Sequence, residues 1–378
     1  MPEFEPFVME REMSRWENTV EVNISESGVH PLTLAELLAL DGRDVASLGD
    51  LSFHYPQANG LIELRETIAS LYNGAGPDDV LVTVGAAEAN YLALTALIEP
   101  GDEVVVVLPN YMQVWGLARN LGATVREVYL DGDRDWALDV DALDGAVGPR
   151  TKMICVCNPN NPTGRIMSAA EMAAVVAAAE RSGAWLLADE VYRGAERERE
   201  ETPSFYGRYD RVIAQGSMSK AYGLPGLRMG WSVGPADTIE AMWRRHDYTA
   251  ITATMLSNHL TAIALSPSVR PKILARTRQL LQGGYGLLYE WMTEQDGVFS
   301  GTPPDAAAIA FLRYDLDIDS AEWTERLRKE KSVLIVPGAH FGAEHHVRVS
   351  FAVPEQELLD GLARISESVA GLRTRANR

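Results

Sequence analysis

The chain has 378 residues, 46% of them hydrophobic and 23% charged, with 53 acidic against 34 basic side chains and a formal net charge of −19. That length and apolar content build one large or two ordinary domains around a core that needs no disulfide or structural metal, and they exclude a disordered chain. The negative charge repels nucleic acid and anionic membrane surfaces, which leaves small molecules, cationic ones included, as expected partners.

The first fifteen residues mix acids and bases, and no stretch approaches the roughly 20 apolar residues of a membrane span. The expected address is therefore the cytoplasm. Acids recur at Glu10, Glu12, Glu17, Glu21 and Glu26. Val20–Ile24 reads as a strand and Leu32–Leu40 as a helix, joined by Ser25-Glu26-Ser27-Gly28-Val29-His30-Pro31.

From about Pro77 short apolar runs alternate with amphipathic stretches, the pattern of an α/β fold with a mostly parallel sheet. Leu81–Val84 leads through Gly85 into a helix over Ala86–Ile98. Further strands are expected at Glu103–Leu108, Lys152–Cys157, Trp185–Ala188, Val212–Gln215 and Met229–Val233, with helices near Tyr111–Leu121 and Ala169–Arg181. Both cysteines, Cys155 and Cys157, fall on one face of one strand and read as core thiols. The charged run Arg197–Glu201 reads as a solvated loop or helix end. After residues 276–294, strands at Ala308–Tyr314, Val333–Val336 and Val347–Ala352 lie between helices at Ser320–Lys331 and Glu355–Val369, a smaller α+β unit. The expected division is an N-terminal arm over residues 1–50 that also joins the small domain, a large domain over 51–275 and a small domain over 276–378.

Only five lysines occur, and four have ordinary surface settings. Lys220 differs, because it sits among small residues in Gly216-Ser217-Met218-Ser219-Lys220-Ala221-Tyr222-Gly223-Leu224-Pro225-Gly226 with no counter-charge nearby in sequence. Desolvation there makes an amine nucleophilic, as Schiff-base chemistry requires. Asn158-Pro159-Asn160-Asn161-Pro162-Thr163-Gly164 and Ala188-Asp189-Glu190-Val191-Tyr192 each follow a buried strand, which places their polar groups at the carboxyl edge of a parallel sheet, where ligands bind. Gly85-Ala86-Ala87 opens a helix and presents free N–H groups suited to a phosphate. Taken singly, Asp189 also suits a cap, Tyr111 and Tyr192 suit core aromatics, and Arg228 and Arg348 suit surface ion pairs. Gly223, Gly226 and Gly230 do not form a dinucleotide fingerprint, and His340, Glu344, His345 and His346 lack zinc spacing, so no metal is expected.

NPNNPTG, DEVY, SMSKAYGLPGLRMGW and VRVSFA, in this order between roughly Tyr55 and Ala352, resemble the class I/II aminotransferases of fold type I, which use pyridoxal 5'-phosphate. The resemblance implies a seven-stranded, mostly parallel sheet in a large domain beside a smaller α+β domain. It makes Lys220 the Schiff-base lysine and proton shuttle at Cα, and Asp189 the partner of the pyridinium nitrogen. Asn161 and Tyr192 would bond the phenolic oxygen and Tyr111 would stack on the ring. Gly85, Ala86, Ala87, Ser217, Ser219 and Arg228 would hold the phosphate. Arg348, with Asn161 beside it, would clamp the substrate carboxylate. Tyr55 would reach the phosphate of a neighbouring subunit, which implies a homodimer with shared sites.

The stretch Asn23–Leu32 departs from the common pattern and carries His30. With its acids it is similar to the N-terminal segment of pyridoxal phosphate- and O2-dependent L-arginine oxidases and, more distantly, of capreomycidine synthase. The resemblance implies a lid in which His30 is a general base, and Glu17 and then Glu26 contact a guanidinium. It further implies oxidation of L-arginine by O2 to 4-hydroxy-2-oxo or unsaturated products with ammonia and peroxide. An aminotransferase with a 2-oxo acid acceptor, or a capreomycidine-synthase-like cyclase, is the alternative. A cofactor-binding transcriptional regulator is disfavoured, because no DNA-binding extension is attached.

Overall fold

The computed structural model describes residues 4–376. The chain opens with helix α1 (Val8–Trp16), a two-residue strand β1 (Val22–Asn23), α2 (Leu34–Leu40) and α3 (Ile62–Ala69). The expected alternation follows: β2 (Val80–Thr83), α4 (Gly85–Leu97), β3 (Glu103–Leu108), α5 (Gln113–Asn120), β4 (Thr124–Asp131), β5 (Ala137–Leu138), α6 (Val140–Ala146), β6 (Thr151–Cys157), α7 (Ala169–Ser182), β7 (Trp185–Asp189), β8 (Val212–Ser217) and β9 (Gly230–Val233). Helices α8 (Ala236–His246), α9 (Met255–Leu265) and α10 (Arg270–Thr293) lead to β10 (Phe299–Ser300), β11 (Ile309–Tyr314), α11 (Ser320–Lys331), β12 (Val333–Leu334), β13 (Val336–Pro337), β14 (His346–Ser350) and α12 (Glu355–Ala376).

The large sheet has the order β2-β9-β8-β7-β6-β3-β4-β5, so it holds eight strands, one more than the seven expected. Strands β8, β7, β6, β3 and β4 run parallel, and β9 runs antiparallel to both of its neighbours. β3 and β8 are buried at every position, and apart from Glu103 and Gln215 their residues are apolar or small. Sequence reading missed β4 because Arg126 and Glu127 interrupt its hydrophobic pattern. The strand lies near the flank of the sheet, where charges reach water, and Arg126 Nε pairs with Glu103 of β3 at 2.8 Å. Because the central strands are parallel, the loops after β6, β7 and β8 open on one edge, and the site is built there.

The second sheet, β10-β11-β14-β13, is antiparallel. β14 packs beside β11 with Arg348 opposite Phe311. The N-terminal segment is tied to this end of the chain, because β1 pairs in parallel with β12, Val22 against Val333. Helix α1 buries Met9 and Met13, one turn apart, against Phe311, Val336 and Phe341. The run Arg197–Glu201 is the loop expected, exposed at Glu198, Arg199 and Glu200, but its two ends are held by packing. The Arg197 guanidinium lies 4.3 Å from the Tyr285 ring, and Glu201 takes Arg193 at 3.1 Å and Arg270 at 2.6 Å. Packing against α10 captures these charges. Among the described residues no helix is long and apolar enough to cross a membrane.

Helix α10 carries a pair of adjacent glycines with opposite constraints. A Cβ on Gly284 would collide with the Phe351 carbonyl, just beyond β14, whereas a Cβ on Gly283 meets nothing within 4 Å. Gly284→Ala is expected to cost about 1–3 kcal/mol through overpacking. Gly283→Ala is expected to add up to about 1 kcal/mol through helix propensity. Thermal denaturation of the two variants checks this, and equal shifts of the same sign would refute the close approach.

Candidate active site

A cavity of about 380 Å³ lies at the carboxyl edge of the large sheet. Its floor comes from the ends of β6, β7 and β8, one wall from the start of α4, another from β14, and its roof from α1 and residues 26–27. Parallel strand ends and a helix N-terminus thus converge on one space.

The start of α4 is open. Its N-cap, Val84, has no side chain that can accept a hydrogen bond, and Gly85 adopts φ +76°. That left-handed turn, together with the missing Cβ, lets the Arg228 guanidinium approach; a Cβ on Gly85 would collide with Nη2. Arg228 is itself in a left-handed conformation, φ 49°, and its Nη1 donates to Ser219 Oγ at 3.4 Å and the Pro225 carbonyl at 3.1 Å. Ser217 Oγ accepts the Ser219 N–H at 3.0 Å. Free amide donors, two hydroxyls and an arginine with no carboxylate partner together form a receptor for a phosphate dianion.

Asp189 ends β7 and is buried; the Val191 N–H donates to it at 3.2 Å. Burial pushes its carboxyl up to about 6, against the pull of Val191, Asn90 and Lys220. A cation placed over it would reverse that cost. Lys220 lines the same cavity, and burial pushes its ammonium below the usual lysine range. The sequence shows no counter-charge near this lysine, but the fold brings Glu26 and Glu10 close enough to favour its charged form in part.

Arg348 is buried within β14. Nη1 donates to Asn161 Oδ1 at 2.9 Å and Nη2 to the Ser25 carbonyl at 2.7 Å, while Nε has no partner. Among the described residues no carboxylate lies within 4 Å of Arg348, Arg228 or Lys220. A buried, unpaired guanidinium is expensive unless an anion arrives, and a substrate carboxylate supplies one.

Tyr192, Tyr111 and the remaining predicted cofactor residues Gly85, Ala86, Ala87, Ser217 and Ser219 lie in or at this cavity. Tyr111 lines it beside α1, and its hydroxyl donates to Glu10 Oε1 at 2.6 Å. Glu17 and Glu26 face the cavity from the roof. Burial and the neighbouring Glu26 push the Glu17 carboxyl above its ordinary value.

His30 is not brought to the site. Val29 is buried and His30 exposed, because the extended stretch alternates its side chains and the Val29 face is inward. The His30 N–H donates to the Ala352 carbonyl at 2.7 Å, and its own carbonyl accepts Arg276 Nη1 at 2.9 Å, so the backbone fixes this orientation. His30 lines an adjoining cavity of about 260 Å³ with Glu357, which shares Glu26, Ser219 and Pro225 with the first. Tyr55 is 82% exposed and outside this chain's cavity.

Sequence reading missed Glu10, Asn90 and Cys157 as cavity residues. Asn90 lies one turn after Ala86 on α4, and Met9, Glu10, Met13 and Glu17 recur at helical spacing, so both signals were present.

Residues 33–365 match the family model of aminotransferase class I and II, and the chain belongs to that family. It is an enzyme of aminotransferase type whose cofactor is pyridoxal 5'-phosphate, and the unpaired Asp189, Arg228 and Arg348 fit that group and its substrate. Capreomycidine synthase of Streptomyces vinaceus is 33% identical over 361 residues, 94% of this chain and 91% of that protein. An aspartate/prephenate aminotransferase of Thermus thermophilus is 28% identical, over 82% of each chain. Among solved structures, a pyridoxal phosphate-dependent aminotransferase from Streptococcus suis superposes with TM-score 0.92 at 32% identity, over 98% of this chain and 99% of that one. The pyridoxal phosphate-dependent cyclase OrfR superposes with TM-score 0.89 at 28% identity, over 99% of both.

Lys220→Ala is expected to abolish both the visible band of the bound cofactor and turnover, and retained turnover would refute the assignment. A second expectation concerns the cofactor-free protein. The Asp189 carboxyl titrates near 6 when folded and about 3.9 when unfolded, so its ionisation opposes folding as the pH rises through that window. Relative to Asp189→Asn, the wild type should lose up to about 3 kcal/mol between roughly pH 4 and 6, with a constant gap above. Denaturant titrations across that range measure it; parallel stability curves would place the cost elsewhere.

Proposed function

We propose that this enzyme acts on a free L-amino acid whose side chain carries a hydroxyl and ends in a cation of the guanidinium class, and closes that side chain into a ring by forming a carbon–nitrogen bond where the hydroxyl leaves as water. The observation that carries the substrate class is the pair Glu17 and Glu26. Both face the cavity, and neither has an arginine or lysine partner within 4 Å among the described residues. Planar guanidinium pairs well with carboxylate oxygens, and both acids line the same cavity as Arg348 and Asn161. In this reading Arg348 and Asn161 hold the α-carboxylate, Tyr111 stacks on the cofactor ring and Tyr192 bonds its phenolic oxygen. Bound pyridoxal phosphate supplies the electron sink that makes the Cα proton acidic. Lys220 Nζ, whose ammonium burial pushes below the usual lysine range, takes that proton and returns it. Helix α1 covers the mouth and excludes water.

The likeness to capreomycidine synthase and to a cyclase supports ring closure over amino transfer. L-Arginine oxidation by O2 starts from the same proton removal, but His30, on which that reading leaned, is exposed outside the cavity. We take the working enzyme to be a cytoplasmic homodimer, with residues 51–275 as the cofactor domain and the exposed Phe53 and Tyr55 reaching toward a partner.

An oxygen electrode and mass spectrometry, with L-arginine and its hydroxylated derivatives and no 2-oxo acid, separate the readings. From a hydroxylated derivative, a cyclic product that keeps every nitrogen and has lost one water, with no oxygen uptake, is expected. Oxygen uptake with ammonia and peroxide would establish the oxidase instead, and turnover only with an added 2-oxo acid would establish an aminotransferase. Glu17→Gln and Glu26→Gln should each raise KM for the cationic substrate roughly ten- to a hundredfold, the worth of one hydrogen bond to a charged group. Unchanged KM values would remove the guanidinium contact.

A further inference from the structure

Three acids of the N-terminal segment line the cavity, and they are not equivalent. Glu10 accepts a hydrogen bond from the Tyr111 hydroxyl at 2.6 Å, a length typical of a charge-assisted bond. Among the described residues Glu17 and Glu26 accept no bond from an arginine, a lysine or a hydroxyl. Glu10 is therefore engaged with the protein while the other two remain open to a substrate.

The backbone of Tyr111 is already held, because its N–H donates to Asn110 Oδ1 at 2.7 Å, and Asn110 Nδ2 donates to the Val107 carbonyl at 3.2 Å. The ring can still swing about its two side-chain torsions. A bond at the phenolic oxygen, the far end of that lever, fixes the tilt. Phe7, also just before α1, meets the ring edge-on with centroids 4.8 Å apart and planes at 66°.

Both contacts come from the roof, and α1 is anchored on both sides of the mouth. Toward α5, the Glu5 N–H donates to Asn120 Oδ1 at 2.8 Å, and Arg119 pairs with Glu5 at 3.2 Å. Toward α11 and the segment after β13, the Arg328 guanidinium lies 3.8 Å from the Trp16 ring centroid, and Glu12 meets His340 at 3.3 Å.

The geometry points to Glu10 as a positioning residue, whose carboxylate sets the tilt of Tyr111 so that the ring is held against the cofactor only while α1 is seated over the cavity. This rests on the reading of Tyr111 as the stacking residue. It gives the roof a second task besides recognising the substrate.

The test compares wild type, Glu10→Gln, Glu10→Ala, Tyr111→Phe, Tyr111→Ala and the double variant Glu10→Ala/Tyr111→Phe as cofactor-loaded enzymes. The first readout is circular dichroism of the visible cofactor band, which reports the tilt of its neighbours. The second is amide hydrogen exchange of residues 8–16. Glu10→Ala and Tyr111→Phe should change the dichroism alike and raise exchange in α1 roughly ten- to a hundredfold, with the double variant no worse than either single one. Glu10→Gln, which keeps an acceptor, should recover part of both signals. Faster exchange with unchanged dichroism in Glu10→Ala, or additive effects in the double variant, would overturn the proposal and leave Glu10 as a docking contact. If Tyr111→Ala also leaves the dichroism unchanged, the stacking role of Tyr111 falls, and the proposal falls with it.

Discussion

Charge with no salt-bridge partner among the described residues, buried at Asp189 and Arg348 and exposed at Arg228, is the constraint around which this protein is arranged. Asp189, Arg228 and Arg348 are each held by neutral groups: amides, hydroxyls and carbonyls. Neutral donors and acceptors orient a charge without neutralising it, so an electrostatic cost is stored at the site until ligands of opposite sign arrive. The parallel sheet makes such an arrangement affordable. Its central strands are buried except near the starts of β6 and β7, at Lys152 and Trp185, so three successive strand ends deliver polar residues to one edge while the apolar body supplies the stability.

The second sheet and the N-terminal segment complete that edge rather than merely cover it. Arg348 sits at the centre of β14, with Phe311 opposite it on β11, and receives its backbone acceptor from Ser25, two residues after β1. The first thirty residues thus contribute to recognition of both ends of the proposed substrate, through Ser25 behind the carboxylate site and Glu17 and Glu26 at the cation site.

What could be read from the sequence follows this division. The large sheet and Lys220, Asp189 and Asn161 were legible, because apolar runs announce buried strands and these residues end or closely follow them, whereas Arg228 and Arg348 came only with the family resemblance of their motifs. β4 was not legible, since Arg126 and Glu127 suit a flank strand and disguise it. His30 was placed on the wrong side because a short extended stretch gives no sign of which alternate face is inward; Val29 decides that by packing in the core. Helix α1 was hidden by its charges, although Met9 and Met13 at helical spacing mark its inner face. The contact between Glu10 and Tyr111 joins residues 101 positions apart and depends on how the roof docks, which no local pattern encodes.

The pairing of β1 with β12 has a consequence in time. Glu21 and Ser332, hydrogen-bonded beside that pair, are 311 positions apart. At about 5–20 residues per second on the ribosome, the N-terminal segment waits roughly 15–60 s for its partner strand to be made. For most of that interval a Met-containing amphipathic helix has its docking partners on α5 but not those on α11 and the segment after β13. The protein therefore builds its cofactor floor first and its roof last, and a nascent chain carries an open, charged cleft until synthesis is nearly finished.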